Sequence, residues 1–216
     1  MVLLLLTKEK LLGILEGNRR IRKSPEPDLT VTSFKKGLEI WNAEPVRNFF
    51  FNRSLCWDPQ YEVAVFIPCS AWKPYPYSQS HKCGYLRALR PALNKIDLFV
   101  VSEPMGIVPY YYSDEYPAES YDYDPYCFFI GKLRNPLARK SLEAFVDRLA
   151  IWIGKYDSRY SKRILMLPRS WHLKVFTKAL HKLNIPPEHY LTITMKGRPS
   201  NSVESMRDQL HTAGLY

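Results

Sequence analysis

The chain predicts an α/β fold: a mainly parallel sheet of about four strands with helices on both faces, plus an N-terminal extension. Three observations carry this. Apolar runs at 62–67, 96–101, 164–167 and 190–195 are short and continuous, as strands buried on both faces require. Patterns of helical period separate them. Three of the runs end in a proline beside polar residues: Pro68-Cys69-Ser70, Ser102-Glu103-Pro104 and Pro168-Arg169-Ser170.

Taken in order, residues 1–23 predict a short helix with Leu11, Leu12 and Leu15 on one face and a stop at Gly17-Asn18. The cluster Arg19, Arg20, Arg22 and Lys23 follows, and Ser24-Pro25-Glu26-Pro27 makes a turn. Residues 29–57 carry a short strand and then a helix through Val46, Phe49 and Phe50, and Asp58-Pro59 marks a break. A helix near 81–93 ends or bends at Pro91. Asn135-Pro136 supplies an N-cap and a first-turn proline for a long helix. Its apolar face is Leu142, Phe145, Val146, Leu149, Ala150 and Ile153, and it runs to about Tyr156. Ser170 caps a further helix bearing Phe176, Ala179, Leu180 and Leu183, stopped by Pro186-Pro187. Asn201 with Glu204 resembles a capping box for a last short helix. The expected division is an extension over 1–57, an α/β core over 58–196, and a tail or short helix over 197–216.

With 216 residues, 46% of them hydrophobic, the chain can bury a sizeable core, which excludes a disordered tail. A formal charge of +10 favours a polyanionic partner, nucleic acid before membrane. The apolar start, Val2–Leu6, is too short for a membrane span or signal sequence, so the expectation is a cytoplasmic protein with no membrane partner. Cys56, Cys69, Cys83 and Cys127 form no CxxC pair and read as free thiols. No metal-ligand spacing and no phosphate-cradling glycine loop is present, so neither a metal nor a nucleotide cofactor is expected.

In an open α/β sheet, ligands collect outside the carboxyl ends of the strands. That edge would gather Cys69, Ser70, Lys73, Ser102, Glu103 and Arg169 in one crevice. Charge is segregated nearby. Residues 102–130 contain no Lys or Arg and are rich in Asp, Glu and Tyr, whereas 131–182 are strongly basic. The basic stretch reads either as a face gripping an RNA backbone or as the wet faces of two helices.

The densest chemistry lies between Pro68 and His81. The pattern P-C-x-x-x-K-P-Y-x-x-S-x-x-H is present as Pro68, Cys69, Lys73, Pro74, Tyr75, Ser78 and His81. It resembles the signature of the archaeosine synthase family, archaeal relatives of tRNA-guanine transglycosylases. A second block, Ser102 to Pro109 followed by Tyr116-Pro117-Ala118 and Tyr121-Asp122, is similar to that family's next segment. The resemblance covers roughly 45–190. It implies addition of the side-chain amine of free lysine to the nitrile of 7-cyano-7-deazaguanine in tRNA, with a radical enzyme acting downstream. At this length the chain is expected to lack the family's barrel and RNA-binding domains. One subunit of a split enzyme, served by a transglycosylase-like or RNA-binding partner, is then the natural reading. The alternatives are a non-catalytic tRNA-binding or assembly subunit and a nucleobase-processing hydrolase.

Within this reading Cys69 adds to the nitrile to form a thioimidate, Lys73 stabilises the developing negative nitrogen, and His81 delivers a proton. Ser70, Tyr75 and Ser102 contact the substrate, with Tyr75 stacking on the base. Ser78 and Ser80 cap the following helix or present its amides. Glu103 and Asp122 receive a cationic amino acid, and Arg169 holds a carboxylate or the RNA backbone.

Overall fold

The structure, a computed structural model, describes residues 8–17, 24–124, 132–168 and 171–216. Arg169, Ser170, Cys127 and the basic cluster at 19–23 lie outside them.

Five strands form one sheet: β1 (Val63–Pro68), β2 (Asp97–Ser102), β3 (Gly106–Pro109), β4 (Lys162–Leu165) and β5 (Leu191–Thr192), in the order β3-β2-β1-β4-β5. β1 pairs in parallel with β2 (Phe66 opposite Phe99) and with β4 (Phe66 opposite Leu165), and β4 pairs in parallel with β5. The fifth strand, β3, was not expected. It folds back antiparallel on β2, with Ser102 opposite Gly106, because Glu103-Pro104-Met105 makes a tight turn. Gly106 closes that turn at φ +85°, and an added Cβ would meet the Arg148 Cβ at 3.1 Å.

The helices are α1 (Lys8–Glu16), α2 (Phe34–Glu39), α3 (Glu44–Phe49), α4 (Leu86–Leu89), α5 (Pro136–Tyr156), α6 (Trp171–Lys182) and α7 (Val203–Thr212). The run 81–93 is composite: a π-helical turn, His81–Tyr85, precedes α4, and a 3₁₀ turn, Arg90–Ala92, holds Pro91. Asn135 caps α5, its side chain accepting from the Leu137 amide at 2.9 Å. Two expectations change. The strand near residue 30 shrinks to a single bridge between Thr30 and Asp122. The last helix starts after Ser202 rather than at Asn201. No capping box forms, because the Ser202 hydroxyl donates backwards to the carbonyls of Lys196 and Arg198.

Chain direction explains the two helical layers. The step from β1 to β2 goes one way across the sheet, and the step to β4 crosses β1 the other way. Right-handed crossovers therefore send α4 to one face and α5 and α6 to the opposite face. α5 packs on α6, and α4 packs on α7. On the α5–α6 face Phe66 stacks on Phe99 at 5.3 Å and meets Trp152 and Phe176 edgewise or tilted. α2 lies on α5, bringing Trp41 to 5.5 Å from Phe145.

Arg148 looks like one more cation on the wet face of α5, yet it is buried. Its guanidinium donates to the Pro104 carbonyl at 2.8 Å and to the Trp41 carbonyl, and it covers the Phe50 ring. Burial lowers its pKa to about 10, so it stays charged near neutrality. This one side chain ties the N-terminal segment and α5 to the turn that carries Glu103.

At the opposite edge of the sheet, Asp97 begins β2 fully buried. It accepts from the Gln60 amide and the Tyr160 hydroxyl, both at 3.0 Å. Asp97→Ala strands these donors, and urea denaturation should show a loss of about 3 kcal/mol. Burial raises the Asp97 carboxyl above its ordinary value despite the donors that pull it down. The folded state thus holds this proton more tightly than the unfolded chain. Its stabilising contribution is full on the acid side and declines as pH rises through the folded value. Asp97→Asn should flatten that decline.

Candidate functional site at the carboxyl edge of β1, β2 and β4

The strand order reverses direction between β1 and β4, and such a switch point opens a crevice outside the carboxyl ends. Three side chains converge there from three strand ends. Cys69 follows β1, Glu103 follows β2, and His172 stands in the first turn of α6, after β4. Cys69 Sγ lies 3.4 Å from His172 Nε2 and 3.5 Å from Glu103 Oε2, and His172 Nε2 lies 3.2 Å from the same carboxylate oxygen. Glu103 is 1% exposed, the His172 side chain is 12% exposed, and Cys69 is partly buried.

Electrostatics make the three a unit. Burial alone would raise the Glu103 carboxyl. The charge and hydrogen bond of His172 outweigh it and hold the carboxyl below its ordinary value. Burial alone would lower His172, and Glu103 and Cys69 together raise it well above the ordinary histidine value. The pair is therefore an imidazolium–carboxylate ion pair. The shared Nε2–H points at both the carboxylate oxygen and the sulfur. A thiol 3.4 Å from an imidazole nitrogen that a carboxylate orients has the geometry of a nucleophile beside its acid–base partner.

The remaining motif residues build the loop behind Cys69. The Cys69 amide donates to the Val101 carbonyl at 3.0 Å, continuing the β1–β2 ladder past the strand end. The Ser70 hydroxyl accepts from the Trp72 amide, closing a short turn. Lys73 is buried; its ammonium donates to the Ser70 carbonyl at 3.2 Å and sits 4.0 Å over the Tyr121 ring. Tyr75 is fully buried. Its hydroxyl bonds Ser102 at 2.9 Å and Tyr121 at 2.5 Å, and Ser102 also bonds Tyr121. This closed ring of hydroxyls lashes the loop to the end of β2 and to the Tyr-rich segment. Burial, with Cys69 nearby, pushes the Tyr75 phenol well above its ordinary value, so it stays neutral.

His81 is fully buried and stacks on Tyr75. Its Nε2 lies 2.9 Å from the Pro68 carbonyl, which can only accept, so Nε2 carries the proton. Nδ1 then accepts from the Tyr110 hydroxyl at 3.1 Å. Both nitrogens are occupied, which leaves the ring holding Pro68, one residue before the thiol. Ser78 accepts from the His81 amide at 3.3 Å and Ser80 lies beside Ser78. Asp122 is exposed, and its backbone pairs with Leu29 and Val31, away from the three converging groups. Arg169 lies outside the described residues.

His172 is the residue that sequence reasoning missed. The strand-end rule flagged the turn after 164–167 but stopped at Ser170. Extending it into the first turn of the next helix would have reached Trp171 and His172. A polar cavity of about 490 Å³, bordered by Glu44, Asn48, Arg53, Glu115 and Tyr116, contains none of the three groups.

Residues 46–126 match a family model described as a domain of unknown function, DUF5591. The chain also resembles proteins of known name over part of its length. It is 41% identical over 66 residues to the archaeosine synthase subunit alpha of Thermoplasma acidophilum, which is 30% of this chain and 12% of that protein. It is 38% identical over 64 residues to the subunit of the same name in Methanosarcina acetivorans (30% and 10%). To the archaeosine synthase of Methanocaldococcus jannaschii it is 34% identical over 53 residues (24% and 9%). Part of the chain thus resembles a segment of the archaeosine synthases. The match spans about a tenth of the length of these relatives. A crystal structure of a protein of unknown function superposes with a TM-score of 0.44 at 17% identity, covering 77% of this chain and 49% of that one; this is too loose a likeness to bear on the site. Among the described residues no helix is long and apolar enough to cross a membrane.

Burial holds the His81 pKa at about 3, below the 6.5 of a free histidine, with Lys73 reinforcing the shift and the Pro68 carbonyl opposing it. ¹⁵N-edited NMR at pH 5 should show His81 neutral and protonated on Nε2. A midpoint near 6.5 would show an exposed ring instead. Because only the unfolded state takes up this proton, folding stability should fall as pH drops below about 6.5.

Proposed function

We propose that this domain works in tRNA modification, joining the side-chain amine of free lysine to the nitrile carbon of a 7-cyano-7-deazaguanine base in tRNA. The observation that carries the reading is the meeting of Cys69, His172 and Glu103 at a switch-point crevice, in a chain part of which resembles archaeosine synthases.

A nitrile is a modest electrophile, and the three groups supply what its addition chemistry needs. The Cys69 thiolate forms a C–S bond to the nitrile carbon, and the nitrile nitrogen takes the proton from His172 Nε2, giving a neutral thioimidate. The neutral lysine amine then adds to the same carbon and the C–S bond breaks. The thiolate leaves, and the proton released by the amine returns to His172, so the product is an amidine and no atom is lost. Glu103 keeps the imidazole oriented throughout and favours its protonated form before the first step and after the second. His172 takes the proton-delivering role first expected of His81. Tyr75, His81, Ser78 and Ser102 hold the loop, and Lys73 places a fixed positive charge beside it. The basic residues of α5 and α6, Lys140, Lys174 and Lys178 among them, offer the tRNA backbone a salt-sensitive contact.

The deciding experiment incubates the protein with labelled lysine and tRNA bearing the nitrile base, with and without a transglycosylase-like partner. Incorporation is expected. Cys69→Ser should abolish it, and His172→Ala should lower it by about 10²–10⁴-fold. No incorporation under either condition rejects the reading. If tRNA binding then persists at low salt and survives Cys69→Ser, the protein is a binding subunit that keeps the fold without the reaction.

A further inference from the structure

Three different donor atoms meet at this edge: a sulfur, an imidazole nitrogen and a carboxylate oxygen. We infer that Cys69, Glu103 and His172 also form a three-ligand site for a divalent transition metal of the zinc class. Their separations of 3.4, 3.5 and 3.2 Å match the edges of a coordination tetrahedron. Zinc bonds of about 2.3 Å to sulfur and about 2.0–2.2 Å to nitrogen or oxygen place tetrahedral ligand atoms about 3.3–3.6 Å apart. All three ligand atoms lie within 4.8 Å of one another.

Chemistry and burial select the metal. A mixed S/N/O set suits zinc or cobalt, not magnesium or calcium, which take oxygen ligands. Two anionic ligands, thiolate and carboxylate, neutralise a dication in a largely dry site. Glu103 Oε1 is buried without a hydrogen-bond partner among the described residues, so the carboxylate has spare capacity toward a cation. With three protein ligands, a tetrahedral ion keeps a fourth position for water or a ligand. The ligands stand 34 and 69 residues apart, which is why no local spacing announced them.

The metal would occupy the lone pair that Cys69 needs to attack an electrophile, so ion and substrate exclude each other. This masking deepens the reading of Cys69 as nucleophile; the metal site itself stands independently of it.

Cobalt(II) is the optical probe. One equivalent should bind and give a near-ultraviolet thiolate-to-cobalt band together with the visible bands of a tetrahedral ion. Cys69→Ser should lose the thiolate band, and His172→Ala should weaken binding by at least about tenfold. In the unsubstituted protein, zinc should slow alkylation of Cys69 by iodoacetamide about tenfold or more, read by peptide mass spectrometry. The exposed Cys56 is the internal reference and should be unaffected. A cobalt spectrum unchanged by Cys69→Ser, or Cys69 alkylation indifferent to zinc, overturns the proposal. Neither measurement uses tRNA or lysine. A protein that binds the ion but transfers no lysine would therefore refute only the proposed reaction, and the converse result only the metal site.

Discussion

Burying the carboxylate of Glu103 is the constraint on which the carboxyl edge of the sheet depends. An ionised carboxylate out of water costs several kcal/mol unless a partner is held against it. The partner is His172, and its position is demanding. It must sit in the first turn of α6, where the helix dipole disfavours a cation. Each group therefore relies on the other: His172 stabilises the buried anion, and Glu103 offsets the dipole. The contact is possible only because β1 lies between β2 and β4, so that their two following turns flank the residue after β1. That residue is Cys69. Arg148 extends the dependence by fixing Pro104, next to Glu103, from the opposite side.

Much of the architecture was legible because burial on both faces leaves a strong mark. The runs around Phe66, Phe99 and Ile164 had to be strands of a parallel sheet, and Asn135-Pro136 announced α5. β3 was hidden because a four-residue strand beginning at Gly106 has too little pattern to separate it from a loop. Ser202 defeated the capping-box reading for a local reason: its hydroxyl turns back to the carbonyls six and four residues earlier. Arg148 carried no sign of burial, since helical period puts it on a boundary where a cation reads as solvated. Its carbonyl partners come from segments 44 and 107 residues away.

The same limit applies to the site. Cys69 and Glu103 were found because they follow strands directly. His172 was passed over because it lies inside a helix and nothing local marks it. His81 drew attention as the histidine nearest the thiol in sequence, yet proximity along the chain and accessibility are different properties. A residue twelve positions on returned through a π-helical turn to lie under the loop, with its two nitrogens committed to Pro68 and Tyr110. Chemistry-bearing residue types in a short motif are therefore ambiguous between reacting and supporting. Here contacts separate the two: the Cys69 sulfur faces His172 and Glu103, whereas the buried Tyr75 phenol and His81 imidazole have their polar atoms committed to the loop and its neighbours.

That division says what the motif is built to achieve. Tyr75, Ser78, His81 and Lys73 spend their polar atoms on one another, on backbone carbonyls, or on Ser102, Tyr110 and Tyr121. A loop fixed at this many points leaves the Cys69 sulfur little freedom. The tolerance it must meet is tight, because a nucleophile or a metal ligand is effective only within about 0.5 Å of its proper place. Both uses of the sulfur draw on this one preorganised geometry. Thiolate attack and metal coordination require the same lone pair, the same imidazole nitrogen and the same carboxylate oxygen, and the two uses differ in whether protons or a dication balance the charge. A site arranged for the first is thereby open to the second, and the occupant is decided by which cation the crevice meets.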